Sequence, residues 1–574
     1  MVKKTLINSL DLSVNMDFKA EIIKLLTKET KLKDADLNNL ISIPPDPKLG
    51  DYAFPCFKLG SNPKNAAETL KKKLKLPKFL SGVQVVGPYL NFYVKSEVIT
   101  KEVLTKVFKE KKDYGKQELG EGKKIVIDFS APNIAKPFGI GHLRSTVIGH
   151  SLYKVYNTLG YKSIGINHLG DWGTQFGKLI VAYKKWGKEK ELGKDPIKYL
   201  LKLYVQFHEE AEKDDKLDDQ AREAFKKLED GNKEYLQLWE HFRELSLKEF
   251  QRIYQILDVK FDSYHGEAFY NNILDKTIKE LQQKIKTKMS DGALIVDLEE
   301  FNMSPVMLKK SNGATTYHTR DIAAANYRLK KYNPNRFLYV VGSEQKLHFR
   351  QLFKVLELAG EDKEKFTHAD FGLFRFPEGK MSTRKGKVIF LEDVLDKAIK
   401  LASEIIEKKN PDLKNKKKVA IQVGVGAIIF ADLSNDRTRN IDFDWDRMLS
   451  FDGETGPYLQ YTHARASSIL RKANSKVSSK INFSLLSLDE EKAVIRLLYD
   501  FPERIVKAAE TYKPHHIANH LISLAQAFNE FYHKCPVISE RDEQMNARLL
   551  LVDSVRQVLE NGLRLLGIKA PDEM

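Results

Sequence analysis

The chain has 574 residues, 42% of them hydrophobic and 10% aromatic, with a net charge of +17 and an isoelectric point near 9.3. Such a length exceeds what one hydrophobic core organises and implies roughly three or four domains. No stretch approaches the roughly 18 apolar residues that span a bilayer, and two distant cysteines, Cys56 and Cys535, argue against a disulfide framework and against a thiolate zinc site.

Met1 to Phe18 contains Lys3 and Lys4 but no apolar core, and Asp11 and Asp17 speak against an import peptide. The expected compartment is a reducing cytoplasm. The positive charge reads either as a surface that attracts a polyanion, RNA above all, or as a lysine-rich solvated surface. Residues 17–115 mix amphipathic helices with a strand-like run, Val83 to Val94, interrupted by Gly87-Pro88. The polar, glycine-punctuated segment Lys111 to Lys123 marks a boundary. Ile125 to Phe129, a glycine-bearing turn, a helix over Leu143 to Tyr156 and Ser163 to Asn167 then make a strand–helix–strand unit, hence a parallel sheet. Residues 185–300 carry Lys, Glu and Leu at helical spacing and read as an insertion, before sheet character returns at Phe337 to Val341 with a helix over Leu347 to Leu358. From about residue 450 the chain reads as helical, its last apolar positions (Leu549, Val552, Val555, Leu559, Leu563 and Leu566 among them) falling on one helix face.

Ser130 to Thr146, SAPNIAKPFGIGHLRST, carries the most chemistry. A Gly-x-Gly turn between strand and helix admits a nucleotide close to the backbone, and the helix N-terminus presents N–H groups to phosphate. His142 at the helix start is placed to donate to a phosphoryl oxygen or, taken by itself, to serve as a surface or capping residue. The whole segment resembles the HIGH signature of class I aminoacyl-tRNA synthetases in its arginine-specific form, S-x-P-N-x-A-K-P-x-H-x-G-H-L-R-S-T. The resemblance continues through NHLGDWGTQFGKL (Asn167 to Leu179), YHTRDIAAANYR (Tyr317 to Arg328), YVVGSEQKLHFRQLF (Tyr339 to Phe353), GKMSTRKGKV (Gly379 to Val388), MLSFDGETGPYLQYTHAR (Met448 to Arg465) and the C-terminal LLLVDSVRQVLENGLRLLGIKAP (Leu549 to Pro571). Two positions depart from it. Gly139 stands where the signature has its first histidine, and Thr383 replaces the second lysine of the KMSKS loop, with Arg384 and Lys385 following.

The resemblance implies a class I, Rossmann-type parallel-sheet catalytic domain at 121–390 with the helical insertion at about 185–300. It adds an α+β N-terminal domain at 1–115 that binds the tRNA elbow, a connecting helical region at 391–450 and an all-α anticodon-binding domain at 451–574. It implies ATP-dependent activation of L-arginine and its transfer to tRNA(Arg), with Mg²⁺ on the triphosphate, no zinc, no membrane partner and a monomeric chain. Lys136, Gly139, Gly141, His142, Lys380, Met381, Ser382, Arg384 and Lys385 are the expected ATP-handling residues, donors and cations that offset charge moving toward pyrophosphate. Asp128, Ser130, Asn133, His142, Tyr317, Asp321 and Gln345 are the expected arginine-binding residues, because a guanidinium offers five donors and demands acceptors. Tyr89, Asn91, Tyr458, Tyr461 and Arg465 are the expected tRNA contacts, with Tyr89, Asn91 and Tyr93 on one strand face. Rival readings are a synthetase for another amino acid, an RNA-binding relative without catalysis, and a nucleotidyltransferase without an RNA partner.

Overall fold

The computed structural model describes residues 17–44, 46–136, 138–375, 389–538 and 542–574. They fall into two compact units, one holding the chain up to Tyr114 with Arg465–Phe501 and Ser523–Leu559, the other Gly115–Ala464, Pro502–Ile522 and Glu560–Met574. No helix among the described residues is long and apolar enough to cross a membrane.

In the first unit, strands β1 (Tyr52–Pro55), β2 (Leu80–Val86) and β3 (Tyr89–Val94) form an antiparallel sheet in the order β1-β3-β2. Gly87, with φ of +59°, and Pro88 close the β2–β3 hairpin at the interruption read from the sequence. Asp51 ion-pairs with Arg496, and Tyr52 shares a hydroxyl hydrogen bond with Tyr499, so residues 489–501 are fixed to the sheet's edge within this unit.

The second unit is built on β4 (Lys124–Asp128) and β5 (Lys162–Ile166), joined by the helix Gly141–Thr158. After a long insertion come β6 (Lys288–Ser290), β7 (Ala293–Val296) and β8 (Val306–Lys309), then β9 (Arg336–Tyr339) and β10 (Phe366–His368). The main sheet is parallel throughout, in the order β10-β9-β4-β5. Ile125, Val126 and Ile127 are all buried because helices cover both faces, the reason this strand reads as a continuous β-branched run rather than an alternation. Val126, Ile164, Phe337, Tyr339, Leu352 and Val355 belong to one apolar cluster, each contributing on the order of 1.5–3 kcal/mol. Chain connections leave β4 toward β5 on one side and return to β9 on the other. The carboxyl ends of β4 and β9 therefore flank a topological switch point, where open α/β sheets bind ligands.

The insertion is helical up to Lys284 and then turns into the antiparallel sheet β6-β7-β8. That sheet was not visible in the helical spacing of residues 185–300. Its signal is Asp291-Gly292, both with positive φ (47° and 76°), as a two-residue hairpin turn between Ser290 and Ala293 requires.

Candidate active site

The loop after β4 is set by unusual backbone. Ser130, Ala131 and Ala135 all take positive φ (74°, 47° and 58°), a conformation costing non-glycine residues about 1 kcal/mol or more each. Hydrogen bonds hold the strain in place. Ser130 N donates to Ser145 Oγ (2.9 Å), the Ser130 hydroxyl meets Tyr254 OH (2.7 Å), and Ala135 N donates to Ser246 Oγ (3.0 Å). Asn133 bridges to Gly170, and a Cβ at Gly170 would collide with the Asn133 side-chain oxygen, which is why glycine stands there.

The glycine turn leads into the helix Gly141–Thr158, whose N-cap Ile140 offers no side-chain cap. Its positive end is open to an anion. Gly141 is exposed, and a Cβ there would meet no atom of the described residues within 4 Å. Packing among the described residues does not require this glycine, whereas a nucleotide lying against the backbone would. Among the described residues no side chain satisfies the buried His142 Nδ1, which lies beside the Phe138 ring at 5.4 Å. Burial, with the charge of Lys136 nearby, pushes its imidazole down to about 4, so the ring is neutral at neutral pH. The Lys136 ammonium lies 5.7 Å from the Tyr204 ring centroid. Gly139 pairs with Phe390, Ile140 N donates to Ile389 O (3.1 Å) and Leu391 N to Phe138 O (2.9 Å). Residues 138–140 and 389–391 thus lie side by side. Lys380, Met381, Ser382, Arg384 and Lys385 lie outside the described residues.

A second cluster forms where the helix Tyr317–Tyr332 meets the carboxyl ends of the strands. Asp321 Oδ2 accepts from His348 Nε2 at 2.6 Å, and Oδ1 lies 3.7 Å from His168 Nε2, beyond hydrogen-bonding distance. Burial works against the Asp321 charge, but the two imidazoles outweigh it and hold the carboxyl well below the usual carboxylate range. His168 donates through Nδ1 to the His265 carbonyl (3.2 Å), which turns Nε2 toward Asp321. Burial pulls the His168 imidazole down, yet the Asp321 carboxylate carries it above its ordinary value.

Glu267, absent from the sequence expectations, belongs to the same cluster. Burial pushes its carboxyl up to about 7, with His168 and Arg320 pulling the other way and Asp321 adding to the rise. Backbone bonds from Asn167 N to Ser263 O (2.9 Å) and from Glu267 N to Leu169 O (3.0 Å) bring this segment alongside the end of β5. No short spacing marks Glu267; the only clue in the chain is an acid inside the aromatic run YHGEAFY.

The remaining expected residues divide. Asp128, at the end of β4, holds Arg328 Nη1 at 2.7 Å, so this acid is engaged by a resident guanidinium. Tyr317 is 63% exposed and Gln345 is exposed. Among the expected tRNA contacts, Tyr89 is 39% exposed and meets Phe57 edge-on at 5.9 Å. Asn91 is only 2% exposed, with Oδ1 unpartnered, so the strand face it shares with Tyr89 turns inward at its middle. In the helix Gly456–Ala473, Tyr458 and Tyr461 are half-buried, and Arg465 donates to Asn529 Oδ1 (2.6 Å). Cys56 and Cys535 are both free thiols.

Residues 103–445 match the class I (R) tRNA synthetase catalytic domain, residues 459–574 the DALR anticodon binding domain and residues 14–94 the arginyl-tRNA synthetase N-terminal domain. The arginine–tRNA ligase of Halothermothrix orenii is 49% identical over 565 residues, 97% of this chain and 100% of that one. That of Alkaliphilus metalliredigens is 50% identical over 564 residues with the same coverage, 97% and 100%. The solved structure of Thermus thermophilus arginyl-tRNA synthetase superposes with a TM-score of 0.83 at 27% identity, covering 97% of this chain and 99% of that one. With a strained loop and open helix end at the sheet's switch point, acids gathered beside them, and relatives matched along nearly their whole length, the chain belongs to the arginyl-tRNA synthetase family.

Proposed function

We propose that this arginine–tRNA ligase reads the guanidinium of its substrate with Asp321 and Glu267 and receives the ATP phosphates at the turn Gly139 to His142. The observation that carries this reading is that Glu267, bonded through its N to Leu169 O, and Asp321, facing His168 and His348, both lie beside the segment that follows β5 in the sheet whose β4 end leads into the phosphate turn. In the first step a carboxylate oxygen of arginine attacks the α-phosphorus of ATP. The bond to the bridging oxygen breaks, and pyrophosphate departs with its electron pair. In the second, the 2′-hydroxyl of the terminal adenosine attacks the arginyl carbonyl, its proton leaves, and AMP is released. The substrates bring their own nucleophiles, so the chain's contribution is positioning and electrostatics.

His142, neutral, donates a hydrogen bond to a phosphoryl oxygen, and Lys136 adds charge where Gly139 has no side chain to offer. Lys380, Met381, Ser382, Arg384 and Lys385 complete the nucleotide site. Asn133 and Ser130 line the arginine side of the strained loop, with Tyr317 and Gln345 at its open rim. Asp128 acts through Arg328 rather than on the substrate. Mg²⁺ travels with the triphosphate. The described residues assemble no group of three His, Cys, Asp or Glu side chains to hold it.

Domains at 1–115, 121–390, 391–450 and 451–574 divide the work among tRNA elbow, catalysis, connection and anticodon. Tyr89 stacks at the elbow, and Tyr458, Tyr461 and Arg465 lie on the helix that opens the anticodon domain. The protein acts as a cytoplasmic monomer. ATP–pyrophosphate exchange measured for each amino acid, with and without tRNA, tests the reading: arginine alone must support exchange, and exchange with another amino acid or none at all defeats it.

A further inference from the structure

The 3-10 segment Glu267–Ile273 carries Glu267 toward Asp321 and, two residues on, leaves Phe269 44% exposed. Phe269 lies flat on His265, centroids 3.7 Å apart and planes within 7°. Tyr270 and Tyr327 both meet Phe269 edge-on at 5.1 Å, so the stack is held rigidly from beneath. Tyr270 is the buried aromatic of this segment, at 1% exposure, whereas Phe269 keeps 44% of its surface open. Tyr327 also lines an adjoining groove of about 560 Å³ together with Lys276, Lys330 and Lys331, the first two sharing Glu280 at 3.9 and 3.3 Å. The Lys331 ammonium sits 5.4 Å over the Tyr327 ring. Burial, together with Lys331, Arg328 and Arg243, holds the His265 imidazole below its ordinary value, so its ring stacks as a neutral aromatic.

Flat exposed rings bordered by cations are the means by which proteins hold single-stranded nucleic acid. The His265 carbonyl accepts from His168, whose other nitrogen faces Asp321, so the stack lies one side chain away from the acid assigned to arginine. We infer that the His265–Phe269 pair is the platform on which an unpaired base of the tRNA acceptor end stacks, with Lys330 and Lys331 on the neighbouring phosphates. The inference rests on the ligase reading, which requires a single-stranded RNA end to reach arginine.

The test uses the full chain, intact tRNA(Arg) and the same tRNA lacking its unpaired 3′ nucleotides. Phe269→Ala weakens binding of intact tRNA about 5- to 160-fold, the range for loss of one base–aromatic stack, and leaves the truncated tRNA unaffected, whereas Phe269→Trp, which keeps a ring face, binds as wild type does. Phe269→Leu, which keeps an apolar side chain against Tyr270 but has no ring face, gives the same loss with an unchanged thermal midpoint. A 2-aminopurine placed at each unpaired position in turn is quenched at one position by wild type and not by Phe269→Leu. Equal losses on both RNAs, or none on either, overturn the platform. A wild-type chain that charges no tRNA with arginine overturns the ligase reading instead.

Discussion

Arg144 and Asp432 form a buried ion pair, Nε to Oδ2 at 3.2 Å, that ties the first turn of the helix Gly141–Thr158 to the helix Lys416–Leu433. The guanidinium also donates to the carbonyls of Gly372 (2.7 Å), Arg439 (2.8 Å) and Arg437 (3.2 Å), so each of its nitrogens is engaged. Arg144→Met strands the Asp432 carboxylate in the interior and costs on the order of 3–5 kcal/mol. Arg144→Met/Asp432→Leu recovers part of this, the three carbonyls still lacking donors. Thermal midpoints of the two variants check the ordering; a double variant less stable than the single one contradicts it.

Asp321→Ala abolishes arginine activation while the fold persists, because the imidazoles of His348 and His168 are left without their acid and the substrate without an acceptor. The expected loss in exchange rate exceeds about a hundredfold. The thermal shift normally produced by arginine disappears with it. Near-normal exchange in this variant removes Asp321 from the site.

Glu267 makes arginine binding depend on pH. With its carboxyl at about 7 in the free protein, the group is protonated below that value and charged above it. Arginine prefers the charged form, so affinity rises as pH climbs through 7, and binding at pH 7 releases a proton. Asp321, held far below, stays ionised throughout and contributes no slope. Calorimetry in buffers of different ionisation enthalpy reads the proton directly. Glu267→Gln binds more weakly and loses the larger part of the slope, what is left belonging to His168, whose imidazole lies above its ordinary value; an undiminished slope removes Glu267 from the site.

On the proposed reading, His142 acts as a neutral donor, its imidazole lying at about 4. His142→Ala lowers the rate of adenylate formation by about a hundredfold, the cost of one donor of roughly 3 kcal/mol. Wild-type rates show no break between pH 5.5 and 8 that vanishes in His142→Ala; such a break means a protonated imidazole acts instead.

Affinity for tRNA falls steeply with salt. A chain of charge +17 that meets the RNA backbone at about six to ten phosphates loses about 10³–10⁵ in binding between 50 and 200 mM salt. Filter binding across that range checks this, and a flat response excludes a long RNA footprint.

Legibility followed sequence distance. The strand–turn–helix around Gly139, Gly141 and His142 could be read because every part of it lies within about twenty residues, and the apolar run Ile125 to Ile127 announced a strand buried on both faces. Glu267 could not be read. It reaches the site only because Ser263 to Glu267 is threaded beside Asn167 to Leu169 by backbone hydrogen bonds, a pairing across nearly a hundred residues that side-chain spacing does not encode. The role of Asp128 was hidden for the same reason: Arg328 lies two hundred positions further on. Asn91 shares a strand face with Tyr89, yet alternation says only which residues share a face, not which part of that face the rest of the unit covers.

The Asp128–Arg328 pair has a consequence for which amino acid this pocket admits. Buried Arg328 is held through Nη1 by Asp128, so on the proposed reading the protein keeps a fixed guanidinium of its own beside the arginine pocket. On the proposed reading, that resident cation cancels Asp128 and leaves the entering side chain facing Asp321, already charged, and Glu267, whose charge appears as pH passes about 7 or as a flat cation settles beside it.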